Sequence, residues 1–442
     1  MPRNSRPAVL AGLALCLAAT MTTTMAACSS GAGTGTKSAS GPVEVEYWGW
    51  TDVQPVVDKF NATHTGIKVK FVKQADLPTT ATGLRNAVAA GSAIPCLAQN
   101  FGDVPALLSE GLVTDVTDYV KPAESKFKAT ALAGAKVQDK YFGIPTGTGP
   151  TFMMINRAAY DKYGVPVPKT WDDVIAAGKA LKPHGVQVMN LAGEDPSTLV
   201  NLITQAGGTW YSVRNDAWKV DFLSPESVAA ANILQQLVDN NLVANQTYQD
   251  RPALIAYFDQ AKMVSLPTST WQLTNYELHF KKTIGDWEPV DLPQFAGATK
   301  FATPAHGNAL LVPKGCPHPK EATEVGIWMN TTKDAVDATY DKATGSYAWP
   351  GAMPDPSPWI DSAVPRKLFG SHRTEAEGVI KKASQSGVDN WLVGPNYTGV
   401  FKELQDQWAQ AVTKKITFRQ LLENLQKFTV DDLKAKGINV AS

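Results

Sequence analysis

Val43-Glu44-Val45-Glu46-Tyr47 alternates apolar and acidic side chains, the period of two that buries one face of a strand. Val53, Val56, Val57 and Phe60 then recur at helical spacing. Ile67, Val69 and Phe71 alternate with Lys68 and Lys70 as a second strand. Leu84, Ala87 and Val88 mark another helix, which Gly91 can stop, before Cys96-Leu97-Ala98 makes a short third strand. Parallel strands need a crossover connection, so strand, helix, strand, helix, strand predicts an α/β unit on a mostly parallel sheet.

Further along, glycines and prolines around Phe142-Gly143-Ile144-Pro145 give way to the apolar run Phe152-Met153-Met154-Ile155, where the chain is expected to cross between domains. Thr170 can cap a helix with Asp173 three residues on, ahead of Val174, Ile175 and Leu181. Ala230, Ile233, Leu234, Leu237 and Val238 form one face of a long helix. A second apolar run, Ala309-Leu310-Leu311-Val312, precedes the helical pattern Ala322, Val325, Trp328, Met329. The proline-rich stretch from Trp349 to Trp359 reads as irregular, and two amphipathic helices close the chain, on Val400, Leu404 and Trp408 and then on Phe418 to Phe428. Trp171, Trp328 and Trp408 fall within helical patterns and are read as core.

Before the first strand lies a secretory leader: Arg3 and Arg6 start it, Ala8 to Ala19 supplies an apolar stretch, and small residues precede a cut. Residues 1–27 are therefore read as a signal peptide. Met25-Ala26-Ala27-Cys28 ends it, and the Gly/Ser/Thr-rich residues 28–41 read as a flexible tether. At 442 residues the chain is too long for one ordinary core, and two domains are expected. Lys plus Arg equals Asp plus Glu, 41 each, so no net field points to nucleic acid or an anionic membrane surface. Once the leader is removed, Cys28, Cys96 and Cys316 remain. In an exported chain Cys96 and Cys316 read either as a disulfide or as two separately buried thiols, and no CxxC or neighbouring histidine pattern supports a metal site.

Four stretches, taken in order, resemble the extracellular solute-binding proteins of carbohydrate ABC importers, the family that includes maltose-binding protein. Tyr47-Trp48-Gly49-Trp50 with Phe60-Asn61 and Thr65 to Val69 is similar to the family's opening strand, helix and second strand. Tyr141 to Pro145, Ile155-Asn156-Arg157 and Pro168 to Asp173 resemble its passage between lobes. Phe258 to Met263 before Ser269-Thr270-Trp271 is similar to the segment ending in a sugar-stacking tryptophan, and Val290 to Pro293 with Gly307-Asn308 and Lys320-Glu321-Ala322 resembles the return strand and helix. The resemblance implies a two-lobed, type II periplasmic-binding-protein-like α/β fold, each lobe a mostly parallel sheet flanked by helices and joined by a hinge. It places residues 42–148 and 304–354 in the first lobe and 149–303 and 355–442 in the second. It also makes a Cys96 to Cys316 bridge geometrically conceivable, and the Cys28 context resembles a lipobox, in which the thiol receives a diacylglyceryl group.

A sugar presents apolar C–H faces and a rim of hydroxyls, so its site needs aromatic platforms together with carboxylates and amides. The resemblance implies such roles for Trp50 and Asp52 after the first strand, Asn100 and Asp103 after the third, Glu194 and Asp195 in a second-lobe loop, Tyr248, the platform Trp271, His306, and Trp391 and Tyr397 before a late helix. It implies a monomer without cofactor or catalytic residues, held to the outer face of the cytoplasmic membrane by lipid alone, that passes its ligand to permease subunits. Two other readings stand beside it. An extracellular glycosidase would use paired carboxylates, for which the adjacent Glu194 and Asp195 are poorly spaced, and a clamp of the same shape could hold a non-sugar solute.

Overall fold

In the computed structural model the described residues are 41–441, apart from 101, 103, 148, 306 and 389. Cys28, with the leader and most of the tether, and the candidates Asp103 and His306 lie outside them. Ten strands carry the argument: β1 Val43–Gly49, β2 Ile67–Lys73, β3 Leu97–Ala98, β4 Ile144–Thr146, β5 Thr151–Asn156, β6 Met189–Asn190, β7 Val243–Ala244, β8 Ser265–Ser269, β9 Trp287–Val290 and β10 Asn308–Leu310.

The alternation at Val43–Tyr47 puts Val45 and Tyr47 in the core, and β1 pairs in parallel with β2 and β3, Val43 opposite Ile67 and Tyr47 opposite Leu97. Leu311, just past β10, bridges antiparallel to Ala98, and β10 runs antiparallel to β4. The first row is thus β2-β1-β3-β10-β4. In the second row β6 lies parallel to β7 and, through the Gln187 to Met263 bridge, beside β8, while β5 runs antiparallel to both β8 and β9. That row is β7-β6-β8-β5-β9. Each row therefore keeps a parallel trio, as the strand-helix rhythm predicts, and completes it with antiparallel strands. The antiparallel members are the segments by which the chain passes from one row to the other and back, and these enter each row from the opposite end.

Buried side chains gather in three clusters. One is built from residues 45–144 and 309–352 around the first row, with Phe60, Leu84 and Leu97 fully enclosed. A second joins Met153, Trp171, Leu234 and Trp210 to the closing helices through Leu404, Trp408 and Leu425. The third packs Phe152, Phe258, Phe280 and Trp287 against Leu368 and Ile380. Trp171 and Trp408 lie in the core as their spacing predicts. Trp328 does not. It is half-buried, because the Pro319–Thr331 helix meets the end of the Gln54–Thr63 helix at the surface, where the indole stands edge-on to Phe60 at 5.2 Å and His64 at 5.6 Å.

Local sequence fixes several joints. Thr170 accepts the Asp173 amide through its hydroxyl at 3.1 Å, and the Asp173 carboxylate accepts the Thr170 amide at 2.9 Å, a reciprocal cap on the Trp171–Leu181 helix. Thr170→Ala is expected to cost about 1 kcal/mol in urea unfolding, and no change in midpoint would show that the cap contributes nothing. Cys96 and Cys316 form a disulfide that ties the residue before β3 to the turn ahead of the Pro319–Thr331 helix. At the crossing, Thr151 donates its hydroxyl to the Pro304 carbonyl at 3.1 Å. Beside it Gly147 lies so close to Gly351 that a Cβ on Gly147 would sit 1.6 Å from the Gly351 carbonyl carbon.

Candidate functional site

Parallel strands direct their carboxyl ends to one edge of a sheet, and the loops leaving that edge are where α/β proteins bind ligands. In the first row those loops follow β1 and β3. The Gln99 side-chain oxygen accepts the amides of Trp50 and Thr51, each at 3.0 Å, and its nitrogen donates to the Thr51 hydroxyl at 2.8 Å. The two loops are thereby stapled together, with Trp50 half-buried beside them. Asp52 caps the Gln54 amide at 3.0 Å and faces Lys73 at 3.5 Å, both side chains exposed. Asn100 donates to Asn308 at 2.6 Å and accepts the Gly102 amide at 3.0 Å, which pins the end of β3 to the start of β10.

In the second row the loops after β6 and β7 carry Glu194 and Asp195, and Tyr248, while β8 runs straight into the helix whose second residue is Trp271. Glu194 accepts the Thr247 hydroxyl at 2.7 Å and the Tyr248 amide at 2.6 Å with one carboxylate oxygen. Burial alone would raise its pKa, but the Thr247 hydroxyl and the backbone amides outweigh burial and hold the carboxyl below its ordinary value. Glu194 is thus an anion that positions the Tyr248 loop. A group with a lowered folded pKa stabilises above its unfolded pKa, about 4.3 for glutamate, and that stability is lost as pH falls through the folded value. Glu194→Gln is therefore expected to lower the thermal midpoint at pH 7 and to converge with the wild type in scans taken progressively below about pH 4. An equal gap at both ends would mean the charge is not involved.

Asp195 caps the Ser197 amide at 2.9 Å. Burial first, and then the Asp195 carboxylate, push the Tyr248 phenol up to about 12. Tyr248 is 37% exposed, and water reaching the ring weakens both contributions. Tyr248 therefore presents a neutral hydroxyl at any ordinary pH. Trp271 is 70% exposed at the start of the Thr270–His279 helix, whereas tryptophan is on average well buried. One residue on, Gln272 accepts Arg251 at 2.6 Å, and Asn275 accepts the same guanidinium nitrogen at 3.0 Å.

The structure thus brings Glu194, Asp195 and Tyr248 together, bonds Arg251, three residues after Tyr248, to the helix that carries Trp271, and gathers Trp50, Asp52 and Asn100 on the other row. Trp391 and Tyr397 are held differently. The Trp391 ring stands edge-on to the buried Trp210 at 4.8 Å, and neighbouring Asn390 and Leu392 bond to Gly208 and Thr209. Tyr397 starts the Tyr397–Val412 helix with its ring 5.6 Å from Phe401, after Asn396, which is buried between Tyr211 and Asp432. That helix supports the Glu194 loop from behind, Trp408 donating to the Ala192 carbonyl at 2.7 Å and Gln405 to that of Glu194 at 3.3 Å. Sequence reasoning missed Gln99, Thr247 and Arg251. Gln99 directly follows the third strand and Arg251 directly follows the helix cap Asp250, which are the positional signals that could have found them. Among the described residues no three histidine, cysteine or acidic side chains are placed to hold a metal, and no helix is long and apolar enough to cross a membrane.

Residues 56–366 match the family of bacterial extracellular solute-binding proteins. The chain belongs to that family. This solute-binding protein is 25% identical over 167 residues to an arabinooligosaccharide-binding protein of Halalkalibacterium halodurans, covering 36% of this chain and 37% of that one. It is 22% identical over 306 residues to an arabinooligosaccharide-binding protein of Bacillus subtilis, covering 64% and 68%. The first of these matches spans little more than a third of its relative's length. Among solved structures, the galacto-N-biose/lacto-N-biose I-binding protein of a Bifidobacterium longum ABC transporter, in complex with lacto-N-biose, superposes with a TM-score of 0.76 at 26% identity, covering 91% of this chain and 100% of that one. An ABC-transporter-associated binding protein of B. animalis subsp. lactis, in complex with β-1,6-galactobiose, gives 0.76 at 19% identity, with 91% and 100% covered. The fold of this solute-binding protein is accordingly the two-lobed, type II periplasmic-binding-protein fold, with parallel sheets flanked by helices.

Proposed function

We propose that this protein captures a sugar or oligosaccharide between two lobes and delivers it to an ABC transporter permease. The observation that carries the reading is the exposed Trp271 indole, set beside Gln272, which accepts Arg251, three residues after Tyr248. An aromatic face can cover the C–H surface of a sugar ring, while the phenol, the guanidinium and the carboxylates meet its hydroxyls. The lobes would divide as 42–148 with 304–354 and 149–303 with 355–442. That division is supported by the core clusters, one drawn from 45–144 and 309–352 and the other two from 152–292 and 360–433. Closure of two such lobes around a ligand is a hinge motion. In this reading the protein acts as a monomer, exported and held by a lipid on Cys28, with permease subunits as partners.

Catalysis is disfavoured by the electrostatics. A glycosidase needs one carboxyl with a raised pKa to protonate the leaving oxygen. Glu194 is pushed the other way by Thr247 and the backbone amides. Titration calorimetry against arabino- and galacto-oligosaccharides tests the proposal. Saturable binding with the sugar recovered intact is the expected result, while hydrolysis of the sugar, or no heat with any of them, would end it.

A further inference from the structure

The helices Arg251–Asp259 and Thr270–His279 both begin at the carboxyl edge of the second row, one after β7 and the other after β8. Between them lies a groove of about 350 Å³ that opens beside Arg251 and Asn275 and runs to Asp259 and His279. Eight residues of helix make it about 12 Å long. Ile255 forms a buried apolar floor and Ala256 an exposed wall.

The rim alternates donors and acceptors. Arg251 spends one guanidinium nitrogen on the amide oxygens of Gln272 and Asn275, both neutral, and forms no ion pair among the described residues. Its guanidinium carbon also lies 5.8 Å from the centre of the Tyr276 ring and interacts with that phenol, and the Asn275 amide nitrogen has no protein acceptor among the described residues. At the far end Asp259 uses one oxygen to accept the amides of Lys281, Lys282 and Thr283, at 2.9, 2.7 and 3.0 Å, which leaves the other oxygen. His279 places Nδ1 2.8 Å from the Asn275 carbonyl, so that nitrogen must carry the proton, and a neutral ring offers Nε2 as an acceptor.

We propose that this groove is an extension subsite that takes a further residue of an oligosaccharide whose leading rings lie on Trp271 and beside Tyr248. The inference rests on the sugar-capturing reading above. An apolar floor under a rim of both donors and acceptors suits a polyol, whereas an anion would meet Asp259 and a cation would meet Arg251. Its volume, at the lower end of small-molecule sites, suits one ring. Arg251 is the joint, since it touches Gln272 next to the platform and also opens the groove.

The test is calorimetry of the full-length protein with di-, tri- and tetrasaccharides of one arabino- and one galacto-series, on the wild type, Ala256→Trp and His279→Ala. Affinity in the wild type is expected to rise about tenfold with the added ring that enters the groove. Ala256→Trp, which lays an indole across the opening, is expected to abolish that increment and leave disaccharide affinity unchanged; His279→Ala, which asks nothing of the core, is expected to reduce the increment at least threefold. An increment that survives both variants, or a wild type that binds disaccharides but gains nothing with length, overturns the subsite and leaves the sugar reading intact. A wild type that binds no sugar of any length overturns both.

Discussion

Trp271→Ala is expected to weaken sugar binding by roughly 30- to 100-fold, about 2–3 kcal/mol, with little change in stability. The two halves of that expectation come from the same number. With 70% of its surface in solvent, the indole leaves little behind when it is removed, so unfolding should stay within about 0.5 kcal/mol of the wild type. A core tryptophan would behave in the opposite way, since truncation to alanine typically costs about 3–5 kcal/mol of stability. For an aromatic platform the loss appears only when a ring lies on it. Calorimetry and urea unfolding on the same variant separate the cases, and unchanged affinity for a sugar that the wild type binds tightly would remove Trp271 from the site.

Cutting the Cys96–Cys316 bridge is the second large effect. It closes a loop with a sequence separation of 220 residues, and losing such a constraint is expected to cost about 2–5 kcal/mol, part of it through the greater freedom of the unfolded chain. The native contacts around it persist without it, because the Cys96 amide donates to the Glu46 carbonyl at 2.9 Å and the Ala98 amide to the Leu311 carbonyl at 3.0 Å. The Cys96→Ala/Cys316→Ala double variant should therefore fold with unaltered circular dichroism at 25 °C and melt well below the wild type. A melting curve that reductant does not move would show that the bridge contributes no stability.

Features that depend on neighbours in the chain were legible in the sequence. The first three strands, the Thr170 to Asp173 cap and the core faces of the closing helices rest on periodicities within a few residues of one another. Features that depend on distant partners were not. The Gln99 staple reaches back 49 residues to Trp50, and the Arg251 clamp reaches Gln272 and Asn275, 21 and 24 residues on, distances at which side-chain spacing carries no signal. Trp328 sits at a helical core position, yet the helix it rides on meets its neighbour at the surface, which only the packing reveals. The cysteine pair left two outcomes open because composition narrows partners without placing them. At the candidate site, Trp271 and the carboxylates near Tyr248 could be named in advance, whereas the hydrogen bonds between the Glu194 and Tyr248 loops could not.

The contact between Gly147 and Gly351 constrains variation as well as shape. Where two backbones touch with no room for a methyl group, even alanine must push the crossing segments apart, so this point should reject every substitution whatever its polarity. The segments carrying Glu194, Tyr248 and Trp271 lie outside that contact, and changes there do not push the crossing apart. A lineage could thus exchange one ligand for another by changing the rim while the axle stays fixed.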